Sequence, residues 1–491
     1  MLDRFFKLSE QGTNVRTELL AGLTTFLTMA YIIFLQPAVL SGQLFGLEPA
    51  EDYLDFGAVM TATCLVAALS TALMGLYARY PIALAPGMGE NFILVFTVIP
   101  AAAAMIARET AAGTIGPGET TPWQIGLGVV FLGGVLFLAI SLCGVQTALL
   151  DAISPSMRNA IAVGIGLFIA FIGLQGAGLV VADPGQCVKM NANVASPDLL
   201  VFFFGLLVTA ALHARRVRGS IVLGIVASTL LALALCAAIK PAPGAAASKQ
   251  AAGSKLQGQF APAAEEFKTK GPVSRPPSMA PTLLKMDLAG ALSWPMLPFI
   301  LIFLFMDLFD TLGTLVGVGE QAGFIKENQL PRAREALISD AIGTVAGAVC
   351  GTSTVTSFIE STAGVEQGGR TGLTALVVAF LFLIALFFAP LIKLIGSYPS
   401  ITAPALVVVG TMMMRNVTKI DWENYAEALP AFITFLGIPL TYSIADGLAL
   451  GFVSYPIVKL AAGQGREVKW LMYVLAFVLV AYLACVRCSA G

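Results

Sequence analysis

The chain has 491 residues, of which 57% are hydrophobic and 12% charged, with a formal net charge of −1 and a mean hydropathy of +0.85. Soluble domains carry about 25% charged residues, so this composition cannot clothe a water-soluble globule, and lipid is read as the solvent for most of the chain. The near-zero charge offers no basic footprint and no nucleic-acid partner is expected; the seven scattered cysteines, Cys64, Cys143 and Cys350 among them inside apolar runs, lack the spacing of a metal site or a disulfide framework.

From the N-terminus, MLDRFFKLSEQGTNVRTELLAG shows no basic, apolar and cleavage-site pattern, so the first hydrophobic run is expected to remain as a span. Runs long enough to cross about 30 Å of hydrocarbon are predicted near 19–40, 56–78, 123–147, 155–175, 198–213, 219–238, 293–318, 336–350, 371–395, 399–414 and 443–462. Shorter pieces at 86–99, 358–369 and 428–440 bring the expectation to about fourteen spans. The run at 468–487 is either an added span or a helix lying against the bundle. The pieces at 86–99 and 358–369 follow strand-like segments, PIALA (81–85) and GTSTVTS (351–357), and broken segments survive at membrane depth only where protein or a cavity surrounds them.

Charge in the short loops predicts orientation. Arg4, Lys7 and Arg16 precede the first span, whereas the loop at 41–55 carries Glu48, Glu51, Asp52 and Asp55, which puts the N-terminus on the cytoplasmic side of a cell membrane. Between 239 and 290 the composition turns to Pro, Gly, Ala, Ser and Lys, read as a mobile polar connector dispensable for transport. It divides seven spans from about seven more, and an odd number per half forces opposite orientations. Interrupted segments third in each half point to an inverted-repeat transporter with its site where the repeats meet.

Two carboxylates stand inside apolar spans: Asp310 in MDLFDTLGT (306–314) and Glu360 in GTSTVTSFIES (351–361). Ionisable groups at that depth are costly and mark binding or proton pathways. Asp307, Thr311 and Thr314 extend the same side of the first motif; such carboxylates suit ring N–H and exocyclic amino groups of a planar polar substrate, and the bland alternative is pairing with a neighbouring helix. Ser357, three before Glu360, has capping-box spacing, and a helix start in mid-membrane presents backbone N–H groups to electron-rich atoms. In APGMGEN (85–91), Gly87 and Gly89 allow close approach of backbone and Asn91 offers donor and acceptor, while Glu90 is read as able to face away. The single histidine, His213, lies in a basic loop and no nucleophile or metal cluster appears, so neither an enzyme nor a cofactor is expected.

These segments, together with LSEQGTNVRTELLAGLTTFLTMAYIIFLQP (8–37), MDLFDTLGTLVGVGEQAG (306–323), SITAPALVVVG (400–410) and PLTYSIADGLALGFVSY (439–455), resemble the nucleobase–cation symporter-2 (xanthine/uracil permease) family and, within it, the adenine/guanine/hypoxanthine permeases. The resemblance implies an all-α polytopic seven-plus-seven inverted repeat importing purine nucleobases by proton symport. A core domain would comprise 1–147 and 291–395, a gate domain 148–238 and 396–462, with 239–290 as connector and 463–491 as an added C-terminal segment. Asp310, Glu360, Asn91, Gly87, Gly89, Thr314 and Ser357 would line the site, and Glu360 and Asp310 would carry the coupling proton. A homodimer is compatible with the resemblance. The alternatives are a sulfate- or dicarboxylate-type anion carrier of the same fold, or xanthine or uracil as substrate. Glu90, where many members have an apolar residue, and the long connector depart from the pattern.

Overall fold

The structure is a computed structural model that describes all residues except 1, 45–46, 48–49, 112, 114–119, 145–152, 184, 186, 239–254, 325–329 and 484–491. Among the described residues ten helices are long and apolar enough to cross a membrane: Val15–Leu40, Phe56–Ala78, Met88–Ala111, Pro122–Cys143, Pro155–Gly176, Pro197–Ala214, Ser220–Ala238, Leu297–Gly319, Gly372–Gly396 and Pro399–Lys419. Four further helices, Ala333–Cys350, Ser361–Glu366, Tyr425–Leu440 and Ile444–Ala461, complete the expected order. Several spans begin on a hydroxyl cap followed by proline, as at Ser154–Pro155 and Ser196–Pro197: the serine oxygen accepts a first-turn N–H, and proline's missing N–H is no loss there.

The repeat is visible in the centre of the bundle. Strand β1 (Leu84–Pro86) follows two spans of the first half, and β4 (Val355–Ser357) follows two spans of the second. They pair antiparallel, with Leu84 opposite Ser357, Ala85 opposite Thr356 and Pro86 opposite Val355, as two halves of opposite orientation require. All six strand residues are buried. Each strand's exposed backbone is satisfied by the other: Gly87 N donates to Thr354 O (3.0 Å) and Phe358 N to Ala83 O (2.9 Å).

Three features depart from the sequence-based expectations, and the C-terminal run falls within them. A second hairpin, β2 (Val180–Asp183) with β3 (Cys187–Met190), joins the 155–176 and 197–214 helices. The first span breaks at Ala30–Tyr31 between Val15–Met29 and Ile32–Leu40. At the C-terminus Trp470–Tyr482 is a helix burying Met472, Leu475 and Leu479 on one side; the rest of 468–487 beyond Leu483 lies outside the described residues. Finally, where the composition suggests a mobile connector, the described part is ordered: Leu256–Phe260 and Ala261–Lys270 are helical, and Leu256, Phe260 and Ala264 are buried at i, i+4 and i+8. That apolar stripe is the physical reason the segment packs. Residues 239–254 of the connector lie outside the described residues.

Candidate functional site

The strand crossing fixes the site because each strand runs straight into a short helix, Met88–Ile93 after β1 and Ser361–Glu366 after β4. The helix Leu297–Ala322 passes alongside. On it Leu308, Thr311 and Leu312 are buried, whereas Asp310 is exposed and Gly313 has open space where a side chain would stand. Asp310 is therefore open on the side of the helix that Gly313 shares. Ile359, 44% exposed, and the half-buried Gly317 and Glu360 line the same side, with Ile359 Cδ1 at 3.3 Å from where a Cβ on Gly317 would lie.

Asp310 Oδ2 accepts from Thr356 Oγ1 (3.0 Å) in β4. Thr356 Oγ1 lies 3.0 Å from Thr311 Oγ1, and Thr311 Oγ1 lies 2.9 Å from Asp340 Oδ2. Asp340 is fully buried in the 333–350 helix. This row contains three oxygen–oxygen links but only two hydroxyl protons, because each threonine can donate once. All three links are satisfied only when one end of the row carries an additional proton: with the proton on the buried Asp340, Asp340 donates to Thr311, Thr311 to Thr356, and Thr356 to Asp310, which stays an acceptor. A second shortage lies beside it. Asp307, 1% exposed, accepts from Thr344 Oγ1 (2.7 Å) through Oδ2 and touches the Asp340 carboxyl, but its Oδ1 has no donor among the described residues.

Glu360 is held from the first span. Tyr31, buried beside the helix break, donates its hydroxyl to Glu360 Oε1 (2.7 Å), and Thr28 Oγ1 approaches the Glu360 carbonyl (3.4 Å). Tyr31 is the one side chain among the described residues that donates to the Glu360 carboxylate, which also takes a hydrogen bond from its own backbone N–H. Asp310 acts electrostatically on both Glu360 and Glu90. Glu90 is buried and folds back over Gly87: a Cβ on Gly87 would meet Glu90 Oε2 at 2.2 Å and Thr356 Cγ2 at 2.8 Å. It thus points into the cluster and not away from it.

The other sequence-predicted residues take supporting places. Asn91 is fully buried and bonded to Gln36 and Ser353, with Gln36 Nε2 donating to Asn91 Oδ1 (3.0 Å) and Thr352 Oγ1 (2.9 Å). Its amide is used up in bracing the strand crossing. Gly89 faces Ile165 of the 155–176 helix, with 3.3 Å to Ile165 Cγ2 from a Cβ built there. Thr314 is buried one turn beyond Asp310. Ser357 does not form the expected capping box: its Oγ points to Asp340 Oδ1 (3.4 Å), its N–H to Thr311 Oγ1 (3.4 Å), and Glu360 is drawn to Tyr31. Asp307 and Asp310 do not share a role, one being sealed against the 333–350 helix and the other open. Asp340, Tyr31 and Gln36 escaped the sequence reading. Asp340 carried the signal that marked Asp310, an ionisable residue in an apolar span; Tyr31 and Gln36 carried none. No group of three or more metal-ligating residues occurs among the described residues.

Residues 16–450 match the permease family that includes the xanthine and uracil permeases. The chain is 41% identical to the guanine/hypoxanthine permease PbuG of Bacillus subtilis, over 97% of this chain and 98% of that protein. It is 36% identical to the adenine permease AdeP of Escherichia coli, over 98% and 95%. The fold is similar to the transmembrane domain of the cyanobacterial bicarbonate transporter BicA, with a TM-score of 0.57 at 15% identity, covering 89% of this chain and 97% of that one. The fold is accordingly the all-α seven-plus-seven inverted repeat of membrane transporters, with strand-led half-helices third in each half. The chain belongs to the xanthine/uracil permease (nucleobase–cation symporter-2) family, and it is a multi-pass membrane transporter, not an enzyme.

Proposed function

We propose that this protein imports purine nucleobases across the cell membrane together with protons, its N-terminus lying in the cytoplasm. The similarity to guanine/hypoxanthine and adenine permeases over nearly the whole chain supports the substrate class. The chemistry of the cleft agrees: the Asp310 and Glu360 carboxylates are acceptors, and purine edges carry N–H and amino donors that form charge-assisted bonds with carboxylates. Tyr31 positions Glu360 by holding one oxygen of its carboxylate. An acidic cleft disfavours anions, which argues against an anion carrier despite the shared fold.

The observation that carries proton coupling is Glu360 beside the row Asp310, Thr356, Thr311 and Asp340, which lacks one proton for its three links. The row keeps that proton, and the coupling proton is the one that Glu360, which feels the charge of Asp310, takes up as the base arrives and gives up on the other side. Residues 1–147 and 291–395 would move as a core body against a gate body of 148–238 and 396–462, exposing the site to each side in turn. The membrane potential supplies about 2.3 kcal/mol per charge per 100 mV. The test is uptake of radiolabelled hypoxanthine, guanine and adenine into proteoliposomes with and without an imposed proton gradient. Concentrative uptake abolished by a protonophore supports the reading; uptake indifferent to the gradient, or competition by bicarbonate or sulfate and not by purines, overturns it.

A further inference from the structure

The described part of the connector is anchored at both ends to different groups of helices. At one end, Asp198 in the first turn of the 197–214 helix accepts from the backbone N–H of Lys255 (3.0 Å) and Leu256 (3.1 Å) and from Tyr398 Oη (2.5 Å). Lys255 Nζ caps the 155–176 helix at Gly176 O (2.9 Å), and the Phe260 ring lies 5.4 Å from that of Tyr398 at the head of the 399–413 helix. Further on, Glu266 pairs with Lys393 (2.7 Å), Ser274 N donates to Phe387 O (2.9 Å), and Thr61 Oγ1 donates to Pro277 O (2.9 Å). Leu284 N then donates to Val349 O (2.8 Å), and Asp287 N to Gln124 O (2.9 Å). The first set of helices lies in the proposed gate ranges and the second in the proposed core ranges.

Directly beneath the Lys255 anchor the same two groups meet through aromatic rings. Phe96 and Phe168 stack edge-on against Tyr442 at 5.2 and 5.3 Å, and Tyr442 Oη donates to Gln175 Oε1 (2.9 Å), next to Gly176. Thr97 faces Ser443 across the same contact (3.5 Å). Asp310 and Gly313, by contrast, look into open space.

We propose that residues 255–287 form a strap that clasps core to gate over this aromatic seal and biases the transporter toward the state closed on the connector's side. The proposal rests on the core and gate reading above, since a clasp has an effect only between bodies that move. Buried Leu256 and Phe260 make one end the firmer hold, and any opening on that side must stretch or release the other. The Glu266 carboxyl is held below the ordinary carboxylate range by Lys270 and then Lys393, so that tie is present at neutral pH and is lost only as pH falls through its lowered value. Burial of Lys255 lowers its ammonium pKa, with nearby Asp198 opposing.

The test uses the full chain in lipid nanodiscs, its native cysteines replaced, with Thr97→Cys as a reporter of the seal. A protease site placed at Gly271–Pro272, combined with Glu266→Ala to release the tie to Lys393, allows the strap to be cut after folding while Leu256 and Phe260 stay seated on one side and 274–287 on the other. Cutting, or Phe260→Ala, is expected to raise maleimide labelling of position 97 on the order of fivefold, the change that about 1 kcal/mol of bias between two states gives. Labelling that stays at the uncut rate in the cut protein overturns the strap. Purine uptake measured on the same preparations separates the two claims: labelling that rises in a protein with no purine uptake supports the strap and contradicts the transport reading, and persistent uptake with unchanged labelling does the reverse.

Discussion

Tyr31 and Glu360 are 329 positions apart in the chain, yet the tyrosine hydroxyl donates to the glutamate's Oε1 over 2.7 Å. The break in the first span at Ala30–Tyr31 turns the ring toward the half-helix that follows β4. One oxygen of Glu360 is thereby fixed, and the carboxylate plane with it. We expect Tyr31→Phe, which keeps the ring and deletes one hydrogen bond to a charged group, to weaken hypoxanthine binding by about 1.5–3 kcal/mol. In the Glu360→Gln background the same substitution should cost much less, because the pair acts as one unit. Calorimetry on the four proteins of this cycle decides: additive losses would show that Tyr31 acts through packing and not through Glu360.

Asp310 has the second carboxylate of the cleft, and Asp310→Asn keeps its size while removing its charge. The base then loses a charge-assisted bond and buried donors are left mispaired, a cost on the order of 2–4 kcal/mol in binding. The measurement is purine affinity of the folded variant by calorimetry, and an unchanged affinity would rule out direct contact. Asp307→Asn is the control, since its carboxyl is sealed against Thr344 and Asp340 and does not reach the cleft.

Gly87 is required by space and not by backbone conformation, its φ of −73° being open to any residue. A methyl group there would sit 2.2 Å from Glu90 Oε2 and 2.8 Å from Thr356 Cγ2, and Thr356 belongs to the row leading from Asp310. Gly87→Ala should therefore displace that threonine and reduce transport at least tenfold, with a stability loss of about 1–3 kcal/mol, as for overpacking elsewhere. Adding Glu90→Ala removes the nearer obstacle and should recover part of the stability. Thermal unfolding in detergent and uptake in cells report the two effects separately.

How far the sequence carried this account depended on what each residue's signal was. Asp310 and Glu360 stood out because charge is rare in apolar spans, and the central strands because PIALA and GTSTVTS interrupt helical runs. Asp340 bears the same mark, but the 336–350 run around it reads as an ordinary span and its partners Thr311 and Ser357 lie in other segments. The spacing of Ser357 and Glu360 suggested a cap; in three dimensions Asp340 and Tyr31 offered those side chains other partners. Leu256, Phe260 and Ala264 form an apolar stripe over too few residues to stand out from a Pro-, Ala- and Lys-rich background, and the helices that cover them are far away in sequence. The aromatic seal at Tyr442 was equally invisible, being made from three segments far apart in the chain.

The central claim is that Glu360 and Asp310 bind the base and couple it to a proton, and Glu360→Gln in proteoliposomes tests it most directly. Glutamine mimics the protonated carboxyl, so a site occupied by base should form without a proton being taken up. The account predicts that this variant still binds hypoxanthine and exchanges it across the membrane but no longer concentrates it under an imposed proton gradient, with binding nearly independent of pH between roughly 5 and 8. Concentrative uptake by the variant that still collapses on adding a protonophore would contradict the assignment of Glu360 and move the coupling proton to the row of Asp310, Thr356, Thr311 and Asp340 alone.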